Sequence, residues 1–252
     1  MESAFQLSAI SVSQLALISA AALAASILGG LAGYGVGLIL PIFIAPVIGI
    51  ANVIPVMAIV AVVTNASRIV AFHRDIDATQ VRRILAGGLP ASMLGAYAFT
   101  RLDTPAVALL LGVFLLLSVP LRRFLARKKY QLERRGTLAA GAGFGLLFGG
   151  TTGTGLILLS ILMAAGVQGA ALIGTDATIA IIMNFAKVAV FSGTLRVDTQ
   201  IALAGLLIGL CTVPGAFVAR WLLKKFTVQT HAALMDVIVF AGGAGFLWRA
   251  IG

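Results

Sequence analysis

Two pairs of residues place an amide one helical turn ahead of a cation within apolar sequence: Asn65 with Arg68, and Asn184 with Lys187. A spacing of three puts both members of a pair on one helix face. A cation at mid-depth in a membrane costs ~2.5–3.5 kcal/mol on insertion scales, so it needs a partner or a task. Two such cations make an anion the natural ligand. Taken singly, each cation is equally explained by snorkelling, because Arg68 lies near Phe72 and Lys187 near Phe191, where their predicted segments end. Asp176 is the sole acid deep in a predicted span. It precedes Lys187 by about three turns, ~16 Å of helical rise, which is too far for an ion pair. It reads either as a proton carrier or as a hydrogen-bonding group at the helix start near Gly174-Thr175.

A second constellation is rich in glycine. Residues 29–37 and 149–155 are both glycine-rich, and Gly35-Val36-Gly37-Leu38-Ile39-Leu40 recurs as Gly153-Thr154-Gly155-Leu156-Ile157-Leu158. Glycines permit positive φ and close backbone approach. A helix that starts just after such a turn directs unpaired N–H groups and its positive dipole end at whatever lies ahead. Gly33 and Gly35 in one tip, and Thr151, Thr152, Gly153 and Thr154 in the other, are therefore candidate anion ligands. Close helix packing is the competing explanation for the glycines.

The elements that must position these groups are repeated as well. Thr64 to Arg68 returns as Met183 to Lys187, Ile76 to Gln80 as Val197 to Gln200, and Leu89-Pro90 as Val213-Pro214. With 60% hydrophobic and 10% charged residues, and a mean hydropathy of +1.09, the chain has too little charge to cover a water-facing surface. Its apolar residues come in continuous blocks, as in helical spans, and not in the alternation of a transmembrane barrel. The predicted fold is an all-α polytopic membrane protein with two inverted repeats, 7–121 and 137–248, in a single membrane domain. Each repeat has a Gly-tipped broken or re-entrant helix pair followed by three transmembrane helices.

The first repeat is read as Leu7–Leu28, Tyr34–Ile50, Asn52–Phe72, Ile84–Phe99 and Pro105–Leu121. The second is read as Thr137–Phe148, Gly155–Ala165, Gly169–Phe191, Ile201–Leu223 and Val228–Trp248. Thr137–Phe148 and Gly155–Ala165 are each about 18 Å long, short of a ~30 Å hydrocarbon core, so they read as a re-entrant hairpin. Between the repeats, 122–136 is strongly basic, with Arg122, Arg123, Arg127, Lys128, Lys129, Arg134 and Arg135. The positive-inside rule makes it a cytoplasmic linker of an inner-membrane protein.

The net charge of +10 fits that bias and contact with anionic lipid heads, with no nucleic-acid partner. One cysteine, Cys211, and two histidines, His73 and His231, give no disulfide framework and no metal site. No cofactor is expected, and a homo-oligomer is compatible with the composition.

In order and placement, three motifs resemble the sulfite exporter family TauE/SafE. These are the Gly-rich turn with its Leu-Ile-Leu-Pro run, Gly33 to Pro41; Gly174-Thr175-Asp176, which is similar to a Gly-Thr-Ser; and the signature Phe72-His73-Arg74-Asp75-Ile76-Asp77, echoed from Phe191 to Asp198. The chain departs from the pattern at Ile54-Pro55-Val56, at Leu159-Ser160 and at Asp176 itself. The resemblance implies transport of small sulfur anions such as sulfite, sulfoacetate or related organosulfonates; the residues alone imply a small anion. The expected function is a secondary transporter working as an exporter by alternating access. An anion channel or an importer of a similar oxyanion are the alternatives. An intramembrane enzyme would need a nucleophile with a base or a metal cluster, which the sequence does not offer.

Overall fold

The computed structural model describes residues 10–32, 36–127, 133–194, 197–222, 240 and 243–248, and among them the chain is helical with no strand. The α-helices are α1 (Val12–Ala32), α2 (Val36–Ile48), α3 (Ile50–Phe72), α4 (Ala78–Phe99), α5 (Thr104–Arg127), α6 (Arg134–Gly150), α7 (Gly155–Ala164), α8 (Gly169–Gly193) and α9 (Thr199–Leu222). A 3-10 turn, His73–Asp75, follows α3. The expected last segment falls mostly outside the described residues. Of it, 243–248 is helical, and Gly243 lies against Leu116 of α5.

Three helices, α4, α5 and α6, are clearly longer than hydropathy alone implies. α4 begins at Ala78 because Asp77 caps it, its carboxylate accepting from the amides of Thr79 and Gln80 at 2.9 and 3.1 Å. Its polar first turns, with Arg82 and Arg83, conceal that start in a hydropathy reading. α5 and α6 run into the basic stretch, to Arg127 and from Arg134, since Arg and Leu are strong helix formers.

Among the described residues, three stretches are long and apolar enough to cross a membrane by length and composition: Ile50–Val70, Ala171–Gly193 and Thr199–Ala219. α2 and α7, with 13 and 10 residues, rise only about 20 and 15 Å. Each follows a longer helix, α1 or α6, through the glycine-rich connections. Irregular backbone at such breaks is stable only where protein or water surrounds it.

The tightest helix pair is α4 with α6, where glycines let the backbones touch. A Cβ on Gly145 would fall on the Gly88 carbonyl oxygen, and one on Gly149 on that of Ser92. Between helices in lipid, such close approach replaces the hydrophobic drive that water would supply. α1 packs on α9, α3 on α8 and α9, and α8 on α4. Apolar side chains chiefly of α1, α2, α3 and α5, with Phe99 of α4, Leu156 of α7, Phe191 of α8 and Ile208 of α9, form one buried cluster. A second cluster joins α4, α6, α7 and α8. The polar residues discussed below lie where these two clusters meet.

Candidate functional site

A cavity of about 100 Å³ opens among α2, α3, α6, α7 and α8. That is several times the ~10–15 Å³ that holds one water, so a small oxyanion fits with some of its hydration. From α3 come Asn65 and Arg68; from α8, Asp176, Asn184 and Lys187; from the α6–α7 connection, Thr151 to Gly155. Aromatic and aliphatic side chains, chiefly Phe144, Phe148 and Leu158, complete the wall.

The two asparagines adopt the same local arrangement. Asn65 Nδ2 donates to the Ala61 carbonyl and Asn184 Nδ2 to that of Ala180, both at 2.8 Å and both four residues back. Each side chain is thereby fixed on its helix with the rest of its amide beside the cavity.

The cations are held differently. Lys187 is buried, and its Nζ donates to the carbonyls of Phe148 at 2.8 Å and Thr151 at 2.6 Å. Those carbonyls end α6, so the ammonium caps the negative end of that helix. The Phe148 ring lies 5.1 Å from the ammonium and adds a cation–π contact. Arg68 is also buried; its Nη1 stands 3.9 Å from Asp176 Oδ2. The other carboxylate oxygen, Oδ1, is buried without a hydrogen-bond partner. Lys187 thus turns to the end of α6 and not to that of its own helix.

The tips meet each other. Thr152 Oγ1 donates to the Gly37 carbonyl at 3.1 Å, joining the α6–α7 connection to the start of α2. Gly153 has φ +80° and sits so close to Leu38 and Gly37 that no side chain fits. Thr151 Oγ1 bonds the Leu147 carbonyl, while Thr154 precedes α7 and makes no side-chain cap to it. The Thr154 carbonyl accepts from the Ile157 and Leu158 amides at 2.9 and 3.3 Å, and Thr154 and Gly155 line the cavity. Thr64, ahead of Asn65, shares a 2.7 Å hydrogen bond with Thr212 of α9, whose carbonyl accepts from Ser26 Oγ of α1 at 2.6 Å.

Asn65, Arg68, Thr151, Thr152, Gly153, Thr154, Asp176, Asn184 and Lys187 therefore share one cavity. Gly33 and Gly35 lie outside the described residues, as does His231. His73 is exposed, with Nδ1 against the Val70 carbonyl. Among the described residues no cluster of His, Cys, Asp or Glu could hold a metal ion.

Sequence reasoning missed the Arg68–Asp176 pairing and the Lys187 cap. The second had a signal: Phe148 to Thr151 ends a helix just before a glycine turn, and a buried ammonium needs such carbonyls. The repeated signature ending in Asp77 and Asp198 is an N-cap in both copies, Asp198 Oδ1 accepting from the Ile201 amide at 2.8 Å. Gly174-Thr175 docks on the first copy: Asp77 N–H donates to Thr175 Oγ1 at 2.9 Å, and the Phe72 carbonyl abuts Gly174.

Long apolar helices around a buried, cation-bearing polar cavity define an integral membrane protein with a candidate anion site. The family model "Sulfite exporter TauE/SafE" matches residues 18–246, and the chain belongs to that family. Membership implies a membrane transporter of the sulfite- or anion-exporter type. No curated protein and no solved structure matches the chain.

Proposed function

We propose that the chain is a secondary transporter that exports small sulfur-containing anions, such as sulfite, sulfoacetate or related organosulfonates, across the inner membrane. The observation that carries this reading is the cavity itself. Arg68 and Lys187 stand at corresponding places in the two sequence repeats and line one chamber together with the threonines ahead of α7. In this reading Asn65, Asn184, Thr151, Thr152, Gly153 and Thr154 contribute to an anion site, with Gly33 and Gly35 expected at the matching tip. Asp176 is the proton-coupling group.

Alternating access between two inverted repeats fits the helix pairing. α4 on α6 has its counterpart in α9 on α1, α3 on α9 in α8 on α4, and α3 meets α8 at the centre. Sites at such a repeat interface, formed by broken helices, are the general plan of secondary transporters. The basic linker 122–136 then faces the cytoplasm, where anionic lipid heads are its neighbours.

Thermal-shift measurements on the detergent-purified protein test the reading against sulfite, thiosulfate, sulfate, sulfoacetate, taurine and acetate. A ligand at a hundred times its dissociation constant stabilises the folded state by ~2.7 kcal/mol. Selective stabilisation by sulfite or sulfonates, weakened in Arg68→Ala and Lys187→Ala, is the expected outcome. No response to any sulfur anion overturns the proposed substrate class.

A further inference from the structure

We infer that Asp176 sets the valence of the anion the cavity accepts: a monoanion binds beside the ionised carboxylate, and a dianion binds only together with a proton on Asp176. The inference rests on the functional reading above and concerns the same cavity.

Arg68, Lys187 and Asp176 are the charged side chains that line it, and their formal charges sum to a single positive charge. Other groups near Asp176 do not change that sum. α2, α6 and α7 line the cavity with apolar side chains, threonines and glycines. Asp77, ahead of α4, turns its carboxylate to its own helix N-terminus. His73, Arg74 and Asp75 of the 3-10 turn and Arg82 of α4 are exposed, and the half-buried Arg83 does not line the cavity. Uncompensated charge in so enclosed a space is costly, so the favoured occupant brings the total to zero.

With Asp176 ionised, one negative charge does so. With Asp176 protonated the lining carries two positive charges, and a dianion balances it. The carboxylate is placed for that exchange. Oδ2 stands at the edge of ion-pair distance from Arg68, 3.9 Å, where a substrate oxygen can take its place. Oδ1 is buried and accepts no hydrogen bond, so a proton can bind there without breaking one. The proton comes from water and travels with the dianion, so charge is conserved at each step.

Binding of two tetrahedral anions of fixed and different charge tests this: methanesulfonate, singly charged, and sulfate, doubly charged. Both are titrated against the purified full chain from mildly acid to mildly alkaline pH. In the wild type the sulfate-to-methanesulfonate affinity ratio should rise as pH falls, a slope that needs no variant to read. In Asp176→Asn, and in the smaller Asp176→Ser, the ratio should change less with pH than in wild type and, at the alkaline end, stand roughly tenfold or more above it. Asp176→Glu should keep the slope. A wild-type ratio that does not move with pH, or variants that leave ratio and slope unchanged, overturns the inference while the anion site stands. A wild type that binds neither ion overturns the functional reading and the inference with it.

Discussion

Arg68 and Asp176 come from different halves of the chain, and the packing of α3 on α8 brings them to 3.9 Å within the cavity. Removing one partner strands the other charge in the interior, at a cost of about 3–5 kcal/mol for a well-buried pair. Arg68→Ala should therefore lower thermal stability in detergent markedly, while Arg68→Ala combined with Asp176→Asn recovers part of the loss. Strictly additive single and double variants would mean that the two groups are not coupled. Lys187 was legible through its repeat partner, but its present task, closing the carbonyl end of α6, depends on where the α6–α7 connection lies.

At the scale of elements, the helices were mostly legible from hydrophobic blocks. The late start read for α4 and the short ends read for α5 and α6 share one cause: hydropathy is blind to caps and to helix-forming basic residues. Asp77 starts α4 well before its apolar part, and α5 and α6 extend into the basic stretch. Glycine-rich α6 shows a different ambiguity, since sequence cannot say which of its glycines touch a neighbour. Gly149→Val drives a side chain into the Ser92 carbonyl and should cost about 1–3 kcal/mol or more as overpacking. Gly143 has open space around it, so Gly143→Ala should raise stability by ~0.5–1 kcal/mol through helix propensity. Melting temperatures of the two variants check this directly. Equal effects would remove the α4–α6 backbone contact as the reason for those glycines.

For the whole molecule, the helical membrane class was legible in the apolar blocks, and one cavity gathers a cation from each sequence repeat. The corresponding pairs α4–α6 and α9–α1 enclose a centre at which the tips touch, through Thr152 and Gly37. Substrate chemistry was less legible. The buried cations suit an anionic ligand, and family membership points to the sulfite- or anion-exporter type. A transporter with one enclosed site exchanges its substrate and saturates.

The most direct test is radiolabelled sulfite exchange in proteoliposomes preloaded with unlabelled sulfite. The account predicts saturable counterflow in the wild type, competition by organosulfonates, and strong loss in Arg68→Ala and Lys187→Ala proteins that remain folded. Flux that never saturates and gains nothing from sulfite on the far side would contradict it, as would full exchange in both variants.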